Sequence, residues 1–405
     1  MLERIMDIFS LYPPLDEREP LPPQYNAVAY ATLVLGYFLG PGAIQTFFVT
    51  SVLLSLGLYR PFFTSGDVVT EYTLCALFFS LWSGFMDHGT KAEGGPRFIG
   101  RPGRPLPKGG RGLRDSETWV QKLKWSVRLA TTTRGIGWDW QVKNVPPHPG
   151  DKTRLQFVWE HVVQAAWRTA LKALAVYIIG FCMVIRPSVT SSLAKWLLDP
   201  LVGWCGAVWS WNTIGSTYAA GAAITVLLGI CEQWEWPPVF GSLGDAWSVR
   251  QVWSTSYHQL MRRQFQTPGL RLARSLGLKK GSFGSRYLQL YLTFFISFSV
   301  HWWQSFAVTR HDNGEFAFFM SQPVIISIED LLRWIWHKSV DPGRRRSLAR
   351  LETLVGYAWT IAAFTLTMQP VMRGWTEIGM IGAGSPDEKA AIQLGRQQGM
   401  AYLSG

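Results

Sequence analysis

From Trp196 to Ile230 the chain runs for 35 residues with a single charge, Asp199. A bilayer-spanning helix needs about 20 mostly apolar residues. This run is therefore too long for one span, and its polar content divides it near Trp211–Ser216. Comparable apolar runs are Ala27–Leu39 and Ala43–Leu58, separated by Pro41-Gly42, then Val68–Met86, Ala165–Ile185, Leu288–Val308, Phe316–Ile335 and Leu354–Met372. The expected fold is all-α. It is a polytopic integral membrane protein of about eight or nine transmembrane helices, with re-entrant or interfacial helices between them. Residues 1–26 read as an N-terminal tail with Pro13-Pro14 and Pro22-Pro23 and no cleavable apolar core. Residues 27–405 read as one polytopic domain.

Composition agrees with an apolar surround. Charged residues make up 16% of the chain, against roughly 25% in a typical soluble domain. The net charge of +12 by itself suggests nucleic acid or a membrane surface. Its location decides. His88–Gly150 carries twelve Lys/Arg against four acids, and Glu232–Tyr287 eight against three; Arg344-Arg345-Arg346 adds a third basic site. Basic charge confined to loops between apolar runs is the positive-inside pattern, not a nucleic-acid footprint, and sets these loops on the cytosolic side. Cys75, Cys182, Cys205 and Cys231 are scattered through or beside apolar runs without metal-ligand spacing, as buried inert thiols are. No metal site is expected. Walker, dinucleotide, zinc and Ser-His-Asp signatures are missing from the sequence.

Three polar segments stand out. His301 lies inside an apolar run, TFFISFSVHWWQSFAV. An ionisable group in a span is costly and marks a functional site by default; Ser297, four residues earlier, shares its helix face. The alternative is a structural His bonded to a neighbouring helix. Pro237–Arg263 holds Asp245, Arg250, Trp253, His258 and Gln259. Arg250, Trp253, Tyr257 and Leu260-Met261 recur at helical spacing, which predicts an amphipathic helix on or re-entering the bilayer. Thr133–Pro149 opens with Gly135 and Gly137, and Asp139 and Lys143 are spaced as a helical ion pair.

Together these segments resemble the wax synthase-like branch of the membrane-bound O-acyltransferases, in particular its fungal members. Arg134–Pro146, RGIGWDWQVKNVP, is similar to the fungal RGIGW-x-W-x-VKN signature. Pro237–Gln259 is similar to the wax synthase loop, and SFSVHWW to the stretch around the superfamily's intramembrane His. The segments follow family order over roughly 130–310. The resemblance implies that His301 and His258 form the catalytic pair. It implies acyl-CoA as cosubstrate rather than a bound cofactor, with Arg250, Trp253, Gln259, Arg134, Lys143 and Asn144 as contacts to acyl-CoA or acceptor. It further implies acyl transfer, acetyl above all, to a hydroxyl of a lipophilic terpenoid or meroterpenoid, in the endoplasmic reticulum membrane. Long-chain wax-ester synthesis is the alternative within the family. Outside it stands a polytopic transporter using His301 with Glu329 and Asp330 as a proton relay. Two departures bear on acyl-chain size: Phe298 follows Ser297 where the family has Ser-Gly, and Tyr257 stands where it has Trp before the loop His.

Overall fold

The computed structural model describes residues 12–404, apart from 92–93, 107–108, 117, 149 and 151. Of the proposed N-terminal tail, residues 1–11 lie outside this range. The chain is overwhelmingly helical: α1 Tyr25–Leu39, α2 Ala43–Tyr59, α3 Val68–His88, α4 Trp119–Thr131, α5 Arg154–Ile185, α6 Ser192–Leu227, α7 Arg262–Ser275, α8 Phe283–Thr309, α9 Glu315–Ser339, α10 Pro342–Glu377 and α11 Pro386–Ser404. Side-chain caps mark most starts. Asp67 accepts from the Thr70 amide at 2.8 Å before α3. Thr153 and Gln156 form a capping box at α5, and Asp341 caps α10 with Pro342 at the first position.

The helices form two compact units. One comprises residues 1–143 and 260–312. Its core joins Leu33, Tyr37, Val49, Leu53 and Phe85 with Trp125, Leu129 and Trp138. Short strands Glu19–Pro20 and Phe63–Thr64 pair in parallel beside it, so part of the tail is built into the fold. At the C-terminal end of α3, the Asp87 carboxylate receives Arg263 and Arg271, tying α7 to α3.

The other unit comprises residues 144–259 and 313–405. Helix α5 packs along α6 and, on another side, against α11. Gly395 and Gly399 are one turn apart on α11. A Cβ at Gly395 would lie 2.1 Å from the Tyr177 carbonyl oxygen, and one at Gly399 2.9 Å from Val184 Cβ. Only bare backbone permits this approach, the small-xxx-small device of membrane helices.

Among the described residues, three helical stretches are long and apolar enough to cross a membrane: Ala43–Phe62, Val68–His88 and Arg154–Ser188. Large apolar side chains face outward, among them Ile44, Phe47, Trp159, Trp167, Trp196 and Leu366. An apolar exterior of this extent belongs against lipid.

Three sequence expectations are corrected. Trp196–Ile230 does not divide: α6 is continuous for 36 residues, about 54 Å. Its polar side chains bond back to carbonyls of their own helix, Asn212 to Val208 at 2.8 Å and Thr217 to Thr213 at 2.9 Å, so polarity does not break it. The amphipathic helix expected from Arg250 to Met261 is one α-turn, Val249–Gln251, followed by a π-turn, Val252–Ser256. There Ser256 bonds to the Ser242 carbonyl and Gln259 to the Tyr257 carbonyl, and these contacts displace the helical ladder. Asp139 and Lys143 are not a helical pair. Asp139 accepts from the Arg97 amide at 3.0 Å, because positive φ at Gly135 and Gly137 turns the chain. Helix α11 follows the last apolar run as a further helix of the fold. It is too polar to register as an apolar run.

Candidate active site

Within the first unit, α8 places His301 against α3. The Tyr72 hydroxyl lies 2.9 Å from His301 Nδ1, and Tyr72 is only 3% exposed. One turn on, Gln304 donates to the Tyr72 carbonyl at 2.9 Å, and both Gln304 and Ser297 are buried. The imidazole is half-buried, with Nδ1 held by Tyr72. Arg134 is buried, and its carbonyl accepts from the Val142 amide at 3.0 Å. The Lys143 carbonyl accepts from Arg262 at 3.4 Å. Trp138, from the same segment, is 1% exposed and belongs to the core.

Within the second unit, the turn at 249–259 gathers His258, Arg250, Trp253, Gln259 and Asn144. Asn144 donates to the Ser254 carbonyl at 2.8 Å. Trp253 Nε1 donates to Gln322 Oε1 at 3.1 Å, and buried Gln259 donates to the Trp253 and Tyr257 carbonyls. Arg250 reaches Asp330 through Nε, at 3.1 Å, and Nη2. Glu329 accepts from the Val249 and Arg250 amides at 2.7 and 3.1 Å and from Trp359 at 3.0 Å. His258 is half-buried against Tyr257 and Phe240, with ring centroids 4.4 and 6.4 Å away. Burial pushes the Tyr257 phenol up, against the opposing Ser210 hydrogen bond, so it stays a neutral donor at neutral pH.

A model of the membrane bound O-acyl transferase family matches residues 236–321, the stretch that holds both histidines. Acetyltransferase ple2 of Rhodocybe pseudopiperita is 28% identical over 94% of this chain and 97% of its own. Acetyltransferase sirH of Leptosphaeria maculans is 30% identical over 65% of this chain and 66% of its own. O-Mevalon transferase macI of Penicillium terrestre is 29% identical over 59% and 61%. The chain belongs to the membrane-bound O-acyltransferase family. No solved structure matches it.

The acyltransferase thus has a helix-borne histidine and a loop-borne histidine in its family segment. Sequence reasoning missed Tyr72, because a tyrosine in an apolar run is unremarkable in composition. It also missed Gln304, although an amide three residues from His301 is a readable signal for a buried polar contact. A cavity of about 190 Å³, lined by His148, Lys152, His161, Arg168, Trp236 and Phe240, among others, also went unread.

Proposed function

We propose that this chain transfers an acetyl group from acetyl-CoA to a hydroxyl of a lipophilic secondary metabolite, a terpenoid or meroterpenoid. The observation that carries the chemistry is His301, an imidazole on an apolar helix fixed at Nδ1 by Tyr72. With the Nδ1 proton donated to the tyrosine oxygen, Nε2 takes the proton of the acceptor hydroxyl. The oxygen attacks the thioester carbonyl, the tetrahedral intermediate expels the CoA thiolate, and the imidazolium returns the proton to sulfur. No acyl-enzyme forms in this scheme, which needs only a base and a bound thioester. His258 orients substrate or donates to the oxyanion. Arg250, Trp253, Gln259, Arg134, Lys143 and Asn144 shape the surroundings of donor and acceptor.

Residues 27–405 act as one catalytic domain in this proposal. The protein sits in the endoplasmic reticulum membrane with its basic loops cytosolic, as the positive-inside rule favours. The acetyl group is supported by relatives named acetyltransferases. Those named O-Mevalon transferases support a larger acyl group as the second reading. A proton relay through Glu329 and Asp330 is disfavoured, since both carboxylates are occupied by the turn at Val249 and Arg250. Membranes holding the protein, given hydroxylated terpenoids with acetyl-CoA or palmitoyl-CoA, separate the readings by mass spectrometry. The acetyl ester is the expected product. A palmitoyl ester alone, or no ester with either donor, overturns the acetyl assignment.

A further inference from the structure

Helix α5 turns an apolar side to the outside through Trp159, Val162, Val163 and Trp167. Phe157, His161, Gln164 and Arg168, spaced at four, seven and eleven residues, line the cavity on its other side. Arg168 is the unusual member. Its guanidinium lies 5.7 Å from the Phe240 ring and rests on the bare backbone of Gly215 in α6, where a Cβ would come within 2.5 Å of Nη1. Among the described residues, no carboxylate pairs with it and its buried Nε has no acceptor. Trp236 Nε1, on the same wall, is also buried without an acceptor. The remaining wall adds His148, Lys152 and Glu160, the last two paired with each other. His161 Nδ1 lies 2.9 Å from the Phe157 carbonyl, which can only accept, so the imidazole keeps its proton there.

A half-buried, unpaired guanidinium is costly where it stands, and two orphaned donors share its cavity. The complement to such a wall is an acceptor-rich anion. The guanidinium fork matches two oxygens of one phosphate.

We propose that this cavity is a phosphate-binding site in which Arg168, seated on Gly215, is the principal ligand contact. The phosphate comes either from the CoA donor or from a phospholipid headgroup, and the first source rests on the acyl-transfer function proposed above. Phe240 gives the site its meaning for catalysis. The ring that walls the cavity beside Arg168 also faces Tyr257 and His258, so a ligand anchored here lies one ring away from the loop histidine.

The test is equilibrium binding to the purified full chain in a phosphate-free, uncharged detergent, with free CoA and phosphatidic acid as separate probes. Arg168→Gln is expected to weaken one of them roughly 10- to 100-fold, the range for losing charge-assisted hydrogen bonds. A loss confined to CoA identifies the donor as the source; a loss confined to phosphatidic acid identifies the headgroup. Arg168→Lys, which keeps the charge and loses the fork, should give an intermediate loss and guards against misfolding of the Gln variant. Binding is read without turnover, so failure of the catalytic assignment leaves this test unaffected. Unchanged binding of both probes by both Arg168 variants, or binding of neither by the wild type, overturns the proposal.

Discussion

For His301 to act as a base at Nε2, its Nδ1 proton must point at the Tyr72 oxygen 2.9 Å away. Replacing Tyr72 by Phe removes that partner and keeps the ring that packs in α3. A single neutral hydrogen bond is worth about 0.5–1.5 kcal/mol, so kcat should fall roughly 3- to 10-fold with KM for acyl-CoA unchanged. A KM effect with normal kcat would instead assign Tyr72 to substrate binding. His258→Ala should also reduce turnover, by less than the loss of His301, because water can replace a positioning donor. His301 was legible in the sequence because an ionisable group in an apolar run is expensive. The same criterion marks Arg168 and Lys172, but a length rule that averages hydropathy passes over single cations. Their surroundings were not legible, because Gly215, Phe240 and Glu388 reach them only through the tertiary fold.

At the scale of elements, the turn at 249–259 depends on Glu329 in α9. The carboxylate holds two backbone donors and the Trp359 indole, and its replacement by Leu orphans all three. At roughly 1–3 kcal/mol for each buried unsatisfied donor, Glu329→Leu should lower the thermal midpoint by several degrees. Arg250→Ala, whose side chain is partly solvated beside Asp330, should cost far less. Equal losses in the two variants would contradict the capping role. On α11, Gly399→Val should loosen packing against α5, read as faster proteolysis of the C-terminal helix in detergent. Helix existence was largely readable from apolar runs and caps. The turn was not, since its spacing satisfies a helical period while hydrogen bonds from Ser256 and Gln259 to distant or local carbonyls decide its shape. Helix α11 escaped notice because it is held by close glycine packing and the Lys172–Glu388 pair, not by an apolar run.

For the molecule as a whole, the low charged fraction and the outward apolar side chains have one cause, a lipid surround. The protein should therefore stay in the membrane fraction through alkaline carbonate washing and leave it only with detergent. The basic surplus is built partly into structure. Arg263 and Arg271 close on Asp87, while Arg168 stands without a carboxylate partner among the described residues. The most direct test of acyl transfer by His301 is release of the CoA thiol from acetyl-CoA by purified protein, with and without a hydroxylated terpenoid. Alcohol-dependent release by the wild type, falling about 10²- to 10⁴-fold in a folded His301→Ala variant, is the predicted result. Alcohol-dependent release at the wild-type rate in that variant would contradict it.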